Sequence, residues 1–486
     1  MNIRLFTLRA MGVLQISFLI GCNSPRSSET SNPDEKVLTG TPALIVQDLG
    51  GRPIPNAQIL IGDAVGQPFP KNQFTTDSNG SIALPKDWKE SATVSVSARG
   101  FVTASFLHMT VSAHTMKLRN QINSSKVEYT GKTSGYAPFN DTSTAHVSLV
   151  FEALKRSELG SFSLSNIVSP ESDSFSVLGN TVSVPSNLAI PDQTLSYFFH
   201  FKVSKPQFRI PLTTSADHLM VGLHAQFPVT ELIKSVRNKD SIYNMINFFN
   251  FSSFSQQITG VGSTDLNEDL DISKTQFSLK NHVQAQNFDS SLILLAISSV
   301  QQNDTLIPLD VKSMNSGASV DLNTLSPQHL SEKTISVLRL NNFDSQEQMS
   351  ISIQDATQSS LPDQLPLISS PSIVGSSLDQ VLPSSQPSHI KAQGMYYSLS
   401  AIEAEVISNV TIETKSTLWD VYNPNWETST QLPTLPAIMK NAGPAGTVTS
   451  RWNLSLMGQD STIQSELGPD RLTTINYLSR SAVDFK

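Results

Sequence analysis

The sequence has almost no cysteine: one residue, Cys22, in 486. A single thiol excludes an internal disulfide framework and any cluster of metal-binding cysteines. Charge is also sparse. Only 15% of residues are charged, and acidic residues outnumber basic ones by 41 to 33, for a formal net charge of −8. Nucleic-acid binders carry a basic footprint, so this balance argues against nucleic acid as a partner. Beyond the N-terminus no apolar run is long enough to cross a bilayer as a helix. Glycine (23) and proline (27) are near average, which rules out a collagen-like chain. Catalytic signatures are missing too: there is no H-E-x-x-H, no P-loop, no G-x-G-x-x-G opening a helix and no G-x-S-x-G elbow. What the chain has in excess is serine, roughly one residue in seven. Its length allows for roughly three domains with buried cores.

The N-terminus reads as an export signal. Arg4 and Arg9 precede a short apolar run, Met11 to Ile20, which ends in Gly21-Cys22. A charged start, an apolar stretch too short to span a membrane and a small residue before a cut define that signal. Leu19-Ile20-Gly21-Cys22 resembles the bacterial lipoprotein lipobox. The resemblance implies a signal peptide at 1–21, cleavage before Cys22, and acyl chains (palmitate among them) on its thiol and new amino group. The other reading is a buried free cysteine. Several acyl chains, each adding about 0.8 kcal/mol per buried CH₂, hold firmly where one would not. Asn23, in place of an Asp, leans to the outer membrane by the family's sorting rule. Removing Arg4 and Arg9 from the 33 basic residues leaves 31 against 41 acidic, a net charge of −10. Such a body does not seek an anionic membrane surface, so the anchor must supply the attachment. Residues 22–40 are polar and Pro/Ser-rich, as in a flexible tether.

Residues 41–119 carry period-two alternation between turn clusters, which predicts seven short strands. The pattern runs Asp48, Gly51, Pro53, Ala57; then Thr76, Asp77, Gly80, Ile82, Leu84; then Val94, Val96, Ala98, Gly100, Phe101. Over 43–118 it resembles the carboxypeptidase regulatory-like, or transthyretin-like, domain, a non-catalytic β-sandwich module. An unrelated Ig-like domain is the alternative, and both imply a sandwich. Thr93 to Ala98 reads as a half-buried strand. The fold class expected for the whole chain is mainly β, with further β-rich domains after the first and one or two short helices. Residues 120–358 form the next β-rich region, with a helix near 230–249 capped by Thr230 and faced by Leu232, Ile233, Val236, Ile242, Met245, Ile246 and Phe249. Residues 359–392 are Pro/Ser-rich and read as a linker or surface excursion, part of which packs. A C-terminal β-rich region spans 393–486.

Three constellations carry candidate chemistry. His329 and Glu332 form an H-x-x-E, but nothing around them has the alternating strands and helices of a zinc carboxypeptidase, and a surface turn is the better reading. Asp265, Asn267, Asp269 and Asp271 alternate oxygen ligands as calcium loops do. Leu270 stands where such a loop needs glycine, and Gln276 where it needs a bidentate Glu. An ordinary acidic loop is therefore favoured over a calcium site. Trp419, Tyr422 and Trp426 enrich the C-terminal region in aromatics that could stack on a ligand, with Asn423-Pro424-Asn425-Trp426 as a turn exposing one ring. The usual place for such residues is the core.

The expectation is a non-catalytic binding or structural protein, exported and held by lipid on the bacterial cell envelope, probing an envelope protein or surface glycan. It needs no cofactor beyond the calcium candidate. A secreted hydrolase of peptides or glycans is the alternative, and calcium-dependent adhesion a third reading.

Overall fold

The computed structural model describes residues 43–121, 126–135, 144–153, 168–177, 180–189, 196–198, 207–213, 217–228, 230–231, 234, 238, 247–260, 265–273, 275–277, 279–284, 293–302, 305–325, 332–340, 348–355, 367–374, 379–382, 390–407, 410–441, 449–460, 468–469 and 474–485. The expected signal peptide, Cys22 and the tether lie outside them, as does His329. The chain is mainly β and divides into two compact units. One holds the first described segment together with residues 368–405 and 415–486. The other holds residues 124–367 and 406–414.

The first segment forms the strands β1 (Ala43–Asp48), β2 (Gln58–Ile61), β3 (Gln73–Thr75), β4 (Ser81–Ala83), β5 (Ala92–Ser97), β6 (Thr103–Met109) and β7 (His114–Leu118). They make two sheets. In one, β1 lies between antiparallel β4 and parallel β7; in the other the order is β3-β2-β5-β6. Leu44 and Val46 of β1, Ile59 and Ile61 of β2, and Val94 and Val96 of β5 are all buried. The turn between β3 and β4 follows from its residues. Asp77 Oδ1 accepts the N–H groups of Asn79 and Ser81, both at 2.9 Å. Gly80 has φ +68°, and a Cβ there would stand 2.5 Å from the Val46 carbonyl oxygen.

These sheets do not end with the first segment. Strand β6 pairs in parallel with the strand Val410–Asn423, so Trp419 to Tyr422 lie beside Thr103 to Phe106. Beyond it the sheet continues through Ala392–Ile407, Thr449–Gln459 and Tyr477–Phe485. The regions 41–119 and 393–486, expected to be separate domains, share one sheet. Strand β5 is also buried on both faces rather than one. Its serines find partners on the neighbouring strand: Ser95 pairs with Ser105 at 2.7 Å and Ser97 with Thr103, while the Trp419 indole N–H donates to Ser105 Oγ at 2.9 Å. The second face is covered by residues that follow Trp419. Leu435 and Met439 pack on Leu60. Thr103 donates to the Met439 carbonyl at 2.8 Å, and Asn441 donates to the carbonyls of Phe101 and Leu418. Small hydroxyl side chains hide one another at little cost, because each buried polar group keeps a partner.

The Pro/Ser-rich stretch also packs. Its strands Ser372–Val374 and Asp379–Val381 form a hairpin, and Ile368 and Ile390 join the core with Met395, Tyr397, Trp452 and Leu454. A buried ion pair ties this unit together. Arg119 Nε and Nη2 each reach Asp420 at 2.8 Å, and the Tyr396 hydroxyl donates to Asp420 Oδ1 at 2.8 Å.

Among the described residues of the second unit, two hydrophobic clusters stand out. Strands Lys126–Ser134, Thr144–Glu152, Gln207–Thr213 and Asp217–Pro228 contribute Tyr129, Val150, Phe208, Ile210 and Met220 to one, closed by Leu270 and Ile272. The other joins the antiparallel pair Leu279–Gln284 and Ser319–Thr324 to the intervening strands Ile293–Gln302 and Thr305–Met314 through Val283, Leu294, Met314 and Leu322. Of the helix expected over 230–249, Thr230, Glu231, Lys234 and Asn238 are described and helical. It stops short of Phe249, since Asn247 and Phe248 turn and the strand Asn250–Gly260 follows. Asn247 leaves helical geometry to accept the Ser313 N–H at 2.8 Å. Leu232, Ile233, Val236, Ile242, Met245 and Ile246 lie outside the described residues.

Asp310 is fully buried in this unit, accepting the N–H groups of Val311 and Asn323 with Lys312 3.7 Å away. Burial pushes its carboxyl up to about 6, against the pull of Lys312 and those N–H groups. The folded chain therefore holds this proton where the unfolded chain, near 3.9, has lost it. Stability from this group should fall as pH rises from about 4 to 6, by roughly 3 kcal/mol. Urea midpoints measured across that window should slope accordingly in the wild type and flatten in Asp310→Asn. An equal slope in both would refute the assignment.

Candidate functional site

The expected calcium ligands are engaged one by one along a strand. The segment carrying them runs beside Lys126–Ser134, with Leu266–Asn267 and Leu270–Asp271 paired to it in parallel. Asp265 Oδ1 accepts the Glu128 N–H and Asp269 Oδ1 the Lys132 N–H, each at 2.9 Å. Asp271 turns onto Ser273, with its N–H at 3.0 Å and its hydroxyl at 2.7 Å. Asn267 stands opposite Thr130 in the ladder. The alternation of oxygens thus matches the spacing of a strand's unpaired N–H groups. Gly131 permits the close approach, because a Cβ there would lie 1.8 Å from the Glu268 carbonyl oxygen. Among the described residues no three of His, Cys, Asp and Glu gather as a metal site.

Of the aromatic candidates, Tyr422 belongs to the core, and Trp419 and Trp426 pack against it partly buried. Tyr422 is buried, stacked on Phe106 at 5.4 Å and tilted on Tyr396 at 5.2 Å. Trp419 meets Trp452 at 6.0 Å. The turn at Asn423–Asn425 is present, with the Asn425 N–H on Asn423 Oδ1. The Trp426 ring is partly exposed. The indole N–H donates to the carbonyls of Gly394 and Met457, at 3.0 and 3.2 Å, and the ring packs on the core. An indole with its single donor satisfied by backbone is a structural plug rather than a platform.

A different site lies at one end of the first segment's sheet. Four pieces of chain border an open cleft of about 470 Å³ with mixed polar and apolar walls: the loop Gly62–Pro68, the start of β5, the end of β6 and the residues after Trp426. The end of β6 is bulged. Ala92 faces Met109 and Val94 faces Phe106, so Leu107 and His108 together oppose Thr93. His108 takes the left-handed conformation, φ 55°. Bulges re-aim side chains and recur beside functional sites. This one brings His108 Nε2 to Glu427 Oε1 at 3.1 Å, with both side chains open to solvent at 50% and 31%. Glu427 Oε2 accepts from Asn423 Nδ2 at 2.9 Å. On the opposite wall Asp63 Oδ1 accepts the Thr93 hydroxyl at 2.8 Å.

The loop of that wall is organised by Asn72, which is buried. Its Nδ2 donates to the carbonyls of Ile61, Ala64 and Gln67, and its Oδ1 accepts the Gly66 N–H at 2.9 Å. The facing wall is tied down where the Tyr397 hydroxyl bonds Thr430, and the Thr434 N–H reaches back to the Asp63 carbonyl at 2.6 Å. Neither His108 nor Glu427 carried a sequence signal, because they lie in segments far apart in the chain and meet only through the shared sheet.

No protein-family model matches the chain, and no curated protein sequence does. A solved structure of a tetra-tandem repeat in the extending region of a large adhesion protein aligns over 91% of this chain and 99% of its own, at 9% identity and a TM-score of 0.08. That score carries no structural likeness.

Proposed function

We propose that this is a bacterial envelope lipoprotein that acts by binding. In this reading Cys22 is cleaved free and acylated, residues 23–40 tether the body, and the β-rich body presents its cleft outward from the outer membrane. The segment 41–119 is read as a carboxypeptidase regulatory-like module completed by the C-terminal strands. The observation that carries the reading is the run ending Leu19-Ile20-Gly21-Cys22 on a chain with no other cysteine.

The mature N-terminus tests it. Expressed in a bacterial host, the protein should sediment with membranes, and mass spectrometry should find a lipid-modified Cys22 at its start. Cys22→Ala should move more than nine-tenths of the protein to the soluble fraction, since single weak contacts do not replace several acyl chains. An unmodified thiol, or a variant that stays with the membrane, would defeat the proposal. A broad hydrolase screen on the soluble body addresses the other reading, and turnover abolished by one substitution would establish an enzyme.

A further inference from the structure

The sequence holds a single Asn-Gly pair, Asn79-Gly80, at the turn between β3 and β4. We infer that Asn79 is a site of self-modification: it deamidates when the chain is unfolded, and the folded turn holds the reaction off. Asparagine is a thermolabile side chain, and a following glycine, with no Cβ, leaves its own nitrogen unhindered for attack. In the reaction the Gly80 nitrogen bonds to Cγ of Asn79 and the Cγ–Nδ2 bond breaks. Ammonia leaves with the proton that the Gly80 nitrogen gives up. Water then opens the resulting cyclic imide at either carbonyl. One opening leaves aspartate. The other leaves isoaspartate, whose backbone runs through the former side chain and is a carbon longer. The only co-reactant is water.

Exposure favours this chemistry and the turn opposes it. Asn79 is exposed, so its amide meets water freely. The peptide that must swing toward it is held on both sides. The Gly80 N–H donates to the Asp77 carbonyl at 3.0 Å, and the Gly80 carbonyl accepts the Val46 N–H at 2.7 Å. A nitrogen whose proton is engaged in a hydrogen bond is a poor nucleophile. The Asn79 N–H and the Ser81 N–H and hydroxyl all donate to the Asp77 carboxylate, at 2.9 to 3.1 Å. These bonds, the Ser81 N–H foremost, hold that carboxyl below its ordinary value, so it remains an acceptor at neutral pH. Gly80 is buried, and a Cβ there would stand 2.5 Å from the Val46 carbonyl oxygen and 2.8 Å from the Ile54 nitrogen. The backbone therefore has no room to rotate in place. Strand β4 is what the modification would damage. Ser81 lies opposite Ile45 and Ala83 opposite Ala43, and a backbone lengthened just before Gly80 draws its carbonyl away from Val46.

The experiment incubates the full chain in mildly alkaline buffer, folded and in guanidinium chloride. Trypsin then releases residues 72–86, between Lys71 and Lys86. Fragment-ion mass spectrometry places the mass gain of deamidation at Asn79 and not Asn72, and methylation by an isoaspartyl methyltransferase counts isoaspartate. Asn79 should convert at least about tenfold faster in guanidinium than in the folded chain, because the folded reaction must wait for local opening. Folded Asp77→Ala, its circular dichroism that of the wild type, should convert several-fold faster than the folded wild type. Equal wild-type rates in the two conditions would overturn the inference, as would an Asn79 that stays intact in guanidinium. A folded Asp77→Ala that reacts no faster than the wild type would overturn it too. If that variant does not fold, the two wild-type rates decide the matter alone.

Discussion

Replacing Asp420 by alanine should cost about 3–5 kcal/mol of folding stability, the largest single-residue effect expected in this unit. Asp420 is buried and accepts from Arg119 twice and from Tyr396 once. Burial works against the charge on the Arg119 guanidinium, and Asp420 with Tyr396 and Tyr422 together more than offset it, holding the group above its ordinary range. Burial likewise holds the Tyr396 hydroxyl above its usual range, so it stays a neutral donor. Removing the carboxylate leaves a charged guanidinium with no counter-ion in a dry place. The paired change Arg119→Met with Asp420→Leu should lose much less, since it removes both desolvated charges together. Tryptophan fluorescence is a clean readout, because all four tryptophans, Trp88, Trp419, Trp426 and Trp452, lie in the unit that holds the pair. A single variant within 1 kcal/mol of the wild type, on the scale set by breaking buried pairs, would contradict this account.

Asn72→Ala should cost roughly 2–4 kcal/mol, because several polar partners are orphaned at once. Two carbonyls and one N–H of the Gly62–Pro68 loop, and the Ile61 carbonyl at the end of β2, depend on this one side chain. The loop is a wall of the cleft, so the stability loss should come with a local one. Hydrogen exchange at the Gly66 amide should accelerate about a hundredfold or more relative to the amides of β5, in proportion to the lost protection. If the Gly66 amide exchanges at the wild-type rate in the variant, Asn72 is not what holds the loop.

Much of the β architecture was legible in the residues. Alternation and turn chemistry predicted seven short strands in the first segment, and seven stand there, because residues such as Asp77, Asn79 and Gly80 can hardly do anything but turn. The runs at Val147–Phe151, Phe208–Leu212, Leu219–Ala225 and Met349–Ile353 each fall inside a strand. What escaped was the surroundings of those strands. Ser95 and Ser97 alternate with valine and so read as a wet face, but a face of small hydroxyls can be dry when the hydroxyls serve one another and another segment covers them. The cover, Trp419 to Asn441, is remote in sequence, and no local pattern announces it. Trp426 shows the same limit at one residue: its turn was readable from Asn423 and Pro424, whereas the two carbonyls that take its N–H belong to other strands. The cleft was hidden for that reason and one more. A bulge at Leu107–His108 has no glycine to mark it, so the one distortion that aims His108 leaves no trace in composition.

The parallel pairing of β6 with Trp419–Tyr422 has a consequence for the order of events as the chain is made. Ser105 and its indole partner are 314 residues apart. A chain that emerges N-terminus first cannot finish its opening sheet until nearly the whole of it has appeared, and closure across such a span is slow. The early strands must wait, unzipped on one edge, while the other unit is threaded out between them.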